Sequence, residues 1–527
     1  MPEQLLQHKI FPYIGSLDTT KHPLLINPLD IVDVNNIIYT TYSTKRLRPG
    51  ISPLFTTSRK PFGGARCLNS IDYWRGGNQF LIVLQNNRIK IINNDGVVDD
   101  ITGDLQIDSS ETVSFLKIQG LVILFFSSGT KVPYKWTGTG LITPLTDGFI
   151  PNATMGRMFL NSLFIDDPSV PGRIYKSVTG DITDFTSIDA QQFDFEINDG
   201  DPDGVTAIFP PFNNSLYVTK RFSIYALTPN YDAEGGIFFA QRSIYSEGIG
   251  CNSHNAVVSV EGLIFFTSDH GVHILKDSDK VSGIESDFVS AKIQTIYADS
   301  INFSRAAFMK AIYDVKTSSY LLLYPSVGEQ YCNALFGYSI RAGDWYKWDN
   351  YNQSTFCKRI NKDTKSIDTV VFSNDGDVGY IDQSVNSDYG VRYPCYLQSG
   401  IISPAGKPDD AFVFKYITSI FVPQATGTFT LSYFINGVFQ ETLTFNMVSS
   451  QRTNPLGDGF TLGIRSRLGG GPLLKLEKQT IHGDGLFYSW YIEYNPSNNT
   501  DVSEYFELLG ILVDVDGAEK TIGEVVS

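Results

Sequence analysis

A repeated unit of short apolar runs most constrains the fold of this 527-residue chain. Each unit holds three or four runs of strand length, which Asn, Asp, Pro and Gly separate, and the units recur at about 40–50 residues. Within residues 160–228 the runs are Ser162–Ile165, Ser215–Thr219 and Ser223–Leu227. A four-stranded sheet cannot bury both of its faces alone, so repeated sheets must stack around an axis. The repeat therefore predicts a β-propeller of about six or seven blades.

The units of this repeat set the expected blade boundaries. We expect blades at about 69–102, 112–145, 155–197, 204–243, 255–283 and 302–349, while residues 368–382 start a seventh blade or complete an earlier one. One short helix is predicted over 284–299, because Ile284, Phe288, Ala291 and Tyr297 fall near one helical face.

The pattern changes beyond residue 384. Residues 411–447 alternate apolar and polar side chains at a period of two, which is typical of longer, half-buried strands. A glycine-rich loop, Leu456–Pro472, interrupts them. We therefore predict an all-β chain in three parts. These are an irregular N-terminal arm (1–36), a β-propeller (37–390) and a C-terminal β-sandwich domain (391–527).

Composition excludes several classes of function. Lys plus Arg number 41 against 56 for Asp plus Glu, a net charge of −15, and no basic run suited to gripping nucleic acid occurs. No apolar run approaches the ~20 residues of a membrane-spanning helix, and we expect no signal peptide. The cysteines have no CxxC spacing, so buried, reduced thiols are expected at Cys67, Cys251, Cys332, Cys357 and Cys395.

An acidic turn is the strongest candidate for a metal site. Asp199, Asp201 and Asp203 stand at alternate positions before Gly204, which resembles the start of a calcium loop. The Glu usual at the twelfth position is absent, since Pro210 stands there. An inter-blade turn is the favoured interpretation, and whether these carboxylates bind a metal ion stays open.

Other patterns were tested for catalytic chemistry. His270 and His273 lie near Asp269, but an offset of three places two imidazoles on opposite faces of a strand, which disfavours zinc. No GxSxG elbow occurs, and the Gly469–Gly471 run lacks the context of a phosphate loop. We therefore predict a non-enzymatic protein with no catalytic, cofactor-binding or metal residues.

Two further segments carry an interpretation. Trp345 and Trp348, with Tyr346 between them, either form a platform for sugars or lock a blade to its neighbour, and packing is favoured. The basic segment Ser43–Pro53 is either a solvated turn or a contact with another subunit or partner.

Several motifs, taken in order, resemble the tail-hub or nozzle proteins of short-tailed bacteriophages, also known as tail tubular or packaged-DNA stabilisation proteins. The resemblance covers roughly 35–515 and rests on Arg46–Gly50 (RLRPG), Asn161–Ser177 with Gly180–Phe185 (GDITDF), Asp199–Ala207, Gly250–Cys251, Phe265–Ile274 and Leu456–Gly471.

This resemblance implies a structural subunit of the virion tail that assembles as a ring, typically a hexamer, below the portal and adaptor rings. The ring would retain packaged double-stranded DNA and conduct it during ejection, without sequence-specific binding. Its partners would be portal-adaptor tail proteins and tail fibres or spikes, and it would assemble in the host bacterial cytoplasm. We expect the ring contacts at Arg46, Arg48 and Gly457–Gly471.

Two alternatives stay open at this point. The first is a carbohydrate- or receptor-binding tail module, in which Trp345, Trp348 and Tyr-rich loops stack on sugars. The second, less expected, is a propeller glycoside hydrolase that uses acidic residues near a blade centre.

Overall fold

The computed structural model of the chain describes a propeller and a sandwich. The described residues are 15–27, 29–40, 44–118, 120–146, 148–187, 195–197, 202–231, 237–245, 248–277, 284–362, 364–403, 411–448, 474–496 and 505–517. Four short strands come first: β1 (Ile31–Asn35), β2 (Ile37–Tyr39), β3 (Lys45–Leu47) and β4 (Gly50–Pro53).

Six consecutive antiparallel sheets of four strands follow β4, and each is one propeller blade. The first blade has β5 (Cys67–Arg75), β6 (Asn78–Gln85), β7 (Arg88–Asn93) and β8 (Val98–Asp100), and the second has β9 (Val113–Ile118), β10 (Leu121–Phe126), β11 (Tyr134–Trp136) and β12 (Thr143–Pro144). The third has β13 (Gly156–Phe159), β14 (Ser162–Asp166), β15 (Arg173–Lys176) and β16 (Phe195–Glu196), and the fourth has β17 (Ala207–Ile208), β18 (Leu216–Thr219), β19 (Ile224–Tyr231) and β20 (Ile237–Tyr245). The fifth has β21 (Val258–Val260), β22 (Leu263–Thr267), β23 (Val272–Asp277) and β24 (Ile284–Phe288), and the sixth has β25 (Lys310–Asp314), β26 (Ser319–Tyr324), β27 (Ala334–Ser339) and β28 (Asp344–Trp348).

The seventh blade joins the two ends of the propeller. It contains β29 (Gln353–Ile360), β30 (Ile367–Ser373) and β31 (Val378–Asp382), and its fourth strand is β4 from the start of the chain. Ile381 of β31 pairs with Ile51 of β4 in antiparallel register. Closure of this kind leaves no free sheet edge between the first and last blades. Among the described residues the propeller therefore has seven blades, the upper of the two numbers predicted.

The first strand of each blade lies nearest the axis. Strand β5 contacts β29 on one side and β9 on the other, and β25 lies between β21 and β29. Each first strand therefore presents some side chains to its neighbours around the ring, and residues from distant units converge at the centre.

Strands β32 (Ser387–Asp388) and β33 (Val391–Arg392) extend the seventh blade. The strands after them form the predicted sandwich: β34 (Cys395–Ser399), β35 (Phe412–Phe421), β36 (Thr428–Ile435), β37 (Val438–Asn446), β38 (Lys475–Thr480), β39 (Asp484–Gly485), β40 (Tyr488–Tyr494) and β41 (Glu507–Gly517). One sheet has the order β1-β34-β40-β36-β37, and the other has β2-β3-β41-β35-β38 with β39 beside β35. Side chains alternate between buried and half-buried along β40, and Phe421 meets Phe429 across the two sheets at 5.2 Å between ring centroids.

The N-terminal arm differs from its prediction. Residues 31–35 were expected to be irregular and residues 37–47 to belong to the propeller, but β1, β2 and β3 are strands of the sandwich. Ile31 pairs with Ser399, and Lys45 pairs with Leu508. The sandwich therefore needs both ends of the chain, and the propeller proper begins at Gly50.

The helix predicted over 284–299 is wrong for its first part and confirmed for its later part. Its first part is β24, which completes the fifth blade by pairing with β23. The helical part is a 3-10 turn, Ala291–Ile293, followed by the helix Gln294–Ser300; further 3-10 turns lie at His254–Ala256 and Phe303–Phe308. None of the described helices is long and apolar enough to cross a membrane.

All five cysteines are buried with free thiols, as predicted.

Candidate functional site on the propeller axis

The tryptophans of β28 are packing residues. Trp345 and Trp348 are each 1% exposed, so neither can stack on a sugar. The indole N–H of Trp345 donates to the Val289 carbonyl at 2.8 Å, and that of Trp348 donates to the Ile37 carbonyl at 3.1 Å. The sugar-platform interpretation is therefore wrong. These residues fasten the sixth blade to the end of the fifth blade and to the sandwich.

His273 and Asp269, which the sequence placed near each other, have different partners in the structure. His273 is buried and stacks against Phe266 and Phe288, with ring centroids 5.3 and 5.0 Å away. Burial lowers the pKa of His273 to about 4. Asp269 instead pairs with Arg221, at 2.7 Å between Nε and Oδ2. No group of three or more His, Cys, Asp or Glu side chains in the described part of the chain is arranged to hold a metal ion.

Two predicted segments fall outside the described residues. They are the turn that holds Asp199 and Asp201, and the loop Gly457–Gly471. Asp203 is described, and its carboxylate accepts the backbone N–H of Arg221 at 3.0 Å. The calcium question and the role of the loop in ring contacts stay predictions.

The basic segment 43–53 is neither a solvated turn nor a subunit contact at Arg48. The Arg48 side chain is 3% exposed and forms a bidentate pair with Asp388, at 2.9 and 2.5 Å. Its Nε donates to the Asn36 side chain at 2.8 Å, and the guanidinium lies 3.6 Å from the centroid of Tyr393. Burial opposes the charged form, but attraction to Asp388 outweighs it and raises the pKa of Arg48. Arg46 is half-buried and lies over Tyr505.

Steric crowding explains why the RLRPG motif ends in glycine. A Cβ at Gly50 would lie 2.2 Å from the Ser387 carbonyl oxygen, so a larger residue cannot approach β32 here. Arg48 and Gly50 together make a joint where the sandwich, β4 and the seventh blade meet. We call this region the junction.

A cavity of about 340 Å³ lies at the centre of the propeller. Its walls come from the first strands of six blades and from the 3-10 turn that precedes β21; they include Phe115, Arg157, His254, Lys310 and Phe356. Residues of distant blades meet at this centre: the Ser114 hydroxyl of the second blade donates to the Asn255 side chain, beside the fifth blade, at 3.2 Å. We call this space the axial cavity.

Arg157 and Lys310 are two of the cationic side chains that line the axial cavity, and they come from different blades. Arg157, on β13, donates through Nε to the Ile208 carbonyl at 3.1 Å, and burial lowers its pKa to about 10. Lys310, on β25, donates to the Asn69 side-chain oxygen and to the Ser70 carbonyl, the latter at 3.1 Å. Burial also lowers the pKa of Lys310, to about 8.

A neutral histidine lies beside these cations. His254 accepts the backbone N–H of Ile208 at Nδ1, at 3.3 Å, so its ring proton resides on Nε2. Burial, and then the charge of Arg157, holds the pKa of His254 well below 6.5. His254 therefore offers the cavity a hydrogen-bond donor without adding a further charge.

The lining of the axial cavity carries positive charge. The residues that line it, all within the described part of the chain, include Arg157, Lys310 and Lys358 but neither Asp nor Glu. The chain as a whole carries a net charge of −15. Sequence reasoning missed this cluster because its members lie in separate repeat units and meet only when the ring closes.

Comparison with known proteins supports no closer assignment. No protein-family model and no curated protein matches this sequence. Similar solved structures include the N-terminal domain of Nup159, at 11% identity and a TM-score of 0.34 over 63% of this chain and 95% of that one. The Cps50 (Swd1) β-propeller domain of Myceliophteria thermophila is 9% identical, with a TM-score of 0.35 over 66% and 98%. The exo-beta-1,3-galactanase of Phanerochaete chrysosporium is 9% identical, with a TM-score of 0.25 over 89% and 100%. These likenesses are too remote to bear on function, and the description of the fold rests on the sheets themselves.

Proposed function

We propose that this chain is a structural component of a bacteriophage tail and forms a ring-shaped nozzle that retains and then conducts double-stranded DNA. The ordered motifs between Arg46 and Gly471 support the family, because their order resembles that of tail-hub proteins of short-tailed phages. The ring, its six copies, its neighbours among the adaptor and fibre proteins, and its place in the virion all belong to this proposal.

The observation that carries the proposal is an edge of the sandwich that no other described strand covers. Strands β37 and β38 are the last described strands of their sheets, and side-chain hydrogen bonds join them. The Gln479 amide donates to the Thr444 carbonyl at 2.6 Å, and the Lys475 ammonium donates to the Asn446 carbonyl. Edge strands of this kind offer unpaired backbone groups to another chain.

Exposed apolar side chains occur along the same edge. Val438 and Phe439 are 62% and 55% exposed at the start of β37, and Leu476 is 57% exposed on β38, beside the end of β37 that holds Asn446. Apolar side chains that are exposed along a strand edge are typical of a surface that another protein covers. In the proposed ring this edge meets the neighbouring subunit.

Native mass measurement with negative-stain imaging tests the ring. We expect a closed ring with a central hole wide enough for a duplex, formed alone or on the adaptor proteins. Phe439→Glu and Leu476→Glu should each break the ring into monomers, because a buried, unpaired carboxylate is costly.

Phe222→Glu is the matched control. Phe222 is 47% exposed on a turn of the fourth blade, so the same substitution there should leave the ring intact. A wild-type protein that stays monomeric, both alone and with the adaptor proteins, would contradict the proposal. Rings that survive both edge substitutions would contradict this choice of interface.

The alternatives have less support. A carbohydrate- or receptor-binding module was expected to use Trp345 and Trp348, which are buried. A glycoside hydrolase generally needs a pair of carboxylates across the scissile bond, and none of the described residues that line the axial cavity carries one.

A further inference from the structure

We infer that the axial cavity binds a phosphate group, free or esterified to a small organic molecule, between the Arg157 guanidinium and the Lys310 ammonium. This inference does not depend on whether the chain assembles into a ring. It concerns the interior of one propeller, whereas the proposed DNA channel belongs to the assembly.

The charge of the cavity calls for an anion. Charged side chains that are removed from bulk water are normally paired with an opposite charge. In the described residues, neither Arg157 nor Lys310 forms an ion pair, and their hydrogen bonds go to neutral oxygens. The lowered pKa values of both groups have burial as their main cause. A dianion in the cavity would supply the missing partner.

The available donors suit a phosphate. The hydrogen bond of Arg157 in the described structure involves Nε, which leaves its two terminal amino groups without a partner among the described residues, and Arg157 lines the cavity. A guanidinium presents paired N–H groups that match two phosphate oxygens. Lys310 adds a point charge from the sixth blade, and His254 adds the neutral Nε2–H donor.

The cavity is larger than a phosphate ion alone. Its volume of about 340 Å³ falls at the lower end of ordinary small-molecule sites, which span about 300–1,000 Å³. Phe115, Ile312 and Phe356 add apolar surface to the wall. This combination suits a phosphate ester, with the charged end on Arg157 and Lys310 and the organic part against the aromatic rings.

Isothermal titration calorimetry of the full chain tests the inference. The probes are inorganic phosphate and ribose 5-phosphate, with acetate at matched ionic strength as the control anion. We expect both phosphates to bind with a dissociation constant of about 1 mM or tighter. Arg157→Gln and Lys310→Met should each weaken binding by at least about tenfold, because each removes one charged contact.

Arg88→Gln is the matched control, since Arg88 is exposed on the first blade and away from the cavity. Thermal unfolding without phosphate checks that each variant folds. Tighter binding of the ester identifies a small organic phosphate as the ligand, and equal or tighter binding of phosphate identifies the free ion. No binding of either probe up to about 20 mM, or equal weakening by Arg88→Gln and Arg157→Gln, would overturn the inference.

Discussion

The junction buries the cationic side chain of Arg48, and the axial cavity holds two half-buried cations, but only the junction supplies a carboxylate. At the junction, Arg48 is held by Asp388 and Asn36 and lies over Tyr393. In the axial cavity, Arg157 and Lys310 are held by neutral oxygens alone among the described residues. The pKa of Arg48 is accordingly raised, whereas burial lowers the pKa of the two cavity residues.

This difference separates a structural cation from one that is available to a ligand. A buried charge with a complete set of partners fixes the chain around it, and removal of one partner leaves the other stranded. A partly buried charge without a counter-ion instead leaves binding energy available for an anion from solvent. The same net-negative chain therefore uses positive charge for two purposes.

The largest expected effect belongs to the junction. Arg48→Met should lower the free energy of unfolding by about 3–5 kcal/mol, because it leaves the Asp388 carboxylate without its partner in a mostly buried site. Urea denaturation measures this change. Arg46→Met is the control two residues earlier in the chain, and it should cost less than about 1 kcal/mol because Arg46 is half-buried and its contact is with the ring of Tyr505. Equal losses in the two variants would remove the distinction.

The next effect appears at alkaline pH and concerns the cavity. Burial lowers the pKa of Lys310 to about 8, from 10.5 in the unfolded chain. Below pH 8 both states hold the proton. Between these pKa values the unfolded chain alone holds it, so the free energy of unfolding of the wild type rises with pH. In phosphate-free buffer, this rise should exceed that of Lys310→Met by on the order of 1–3 kcal/mol.

Lys45 does not disturb this comparison. Burial lowers the pKa of Lys45 to about 7, so Lys45 also makes the free energy of unfolding rise above about pH 7, but it does so equally in both proteins and cancels. Urea denaturation at several pH values measures the difference. A wild type and Lys310→Met with parallel pH profiles would contradict an unpaired ammonium in the cavity.

The smallest expected effect on stability comes from giving the cavity its own carboxylate. Asn255→Asp keeps the side-chain oxygen that accepts from Ser114 and adds a negative charge to the lining. Stability should change by less than about 1 kcal/mol, whereas phosphate binding should weaken by at least about tenfold, because the new charge repels the anion. Unchanged phosphate binding in a folded Asn255→Asp protein would place the anion elsewhere.

The blades could be predicted from the sequence because a repeat marks each unit. The N-terminal strands could not, since β1 is five residues long and its partner strand, which holds Ser399, follows the whole propeller in the chain. The fourth strand of the fifth blade was mistaken for a helix because Ile284 and Phe288 are four apart, a spacing that fits one helical face. Local patterns therefore predict elements formed by neighbours in sequence.

The candidate site shows the same limit. Arg157, His254 and Lys310 lie on three different blade units, and each alone is an ordinary polar residue in or beside a strand. Their convergence depends on the closure of seven blades, which no local pattern records. Arg48 stood out in the sequence as part of a basic turn. Its burial depends on an ion pair with Asp388, and most of the propeller sequence lies between these two residues.

The position of a bound oxyanion tests the contrast between these two regions most directly. A crystal grown without phosphate or sulfate and soaked in selenate would locate the anion by its anomalous scattering. We predict a peak in the axial cavity between Arg157 and Lys310, and none beside Arg48, whose guanidinium already holds Asp388. An empty axial cavity, with selenate found only at surface lysines, would contradict the account.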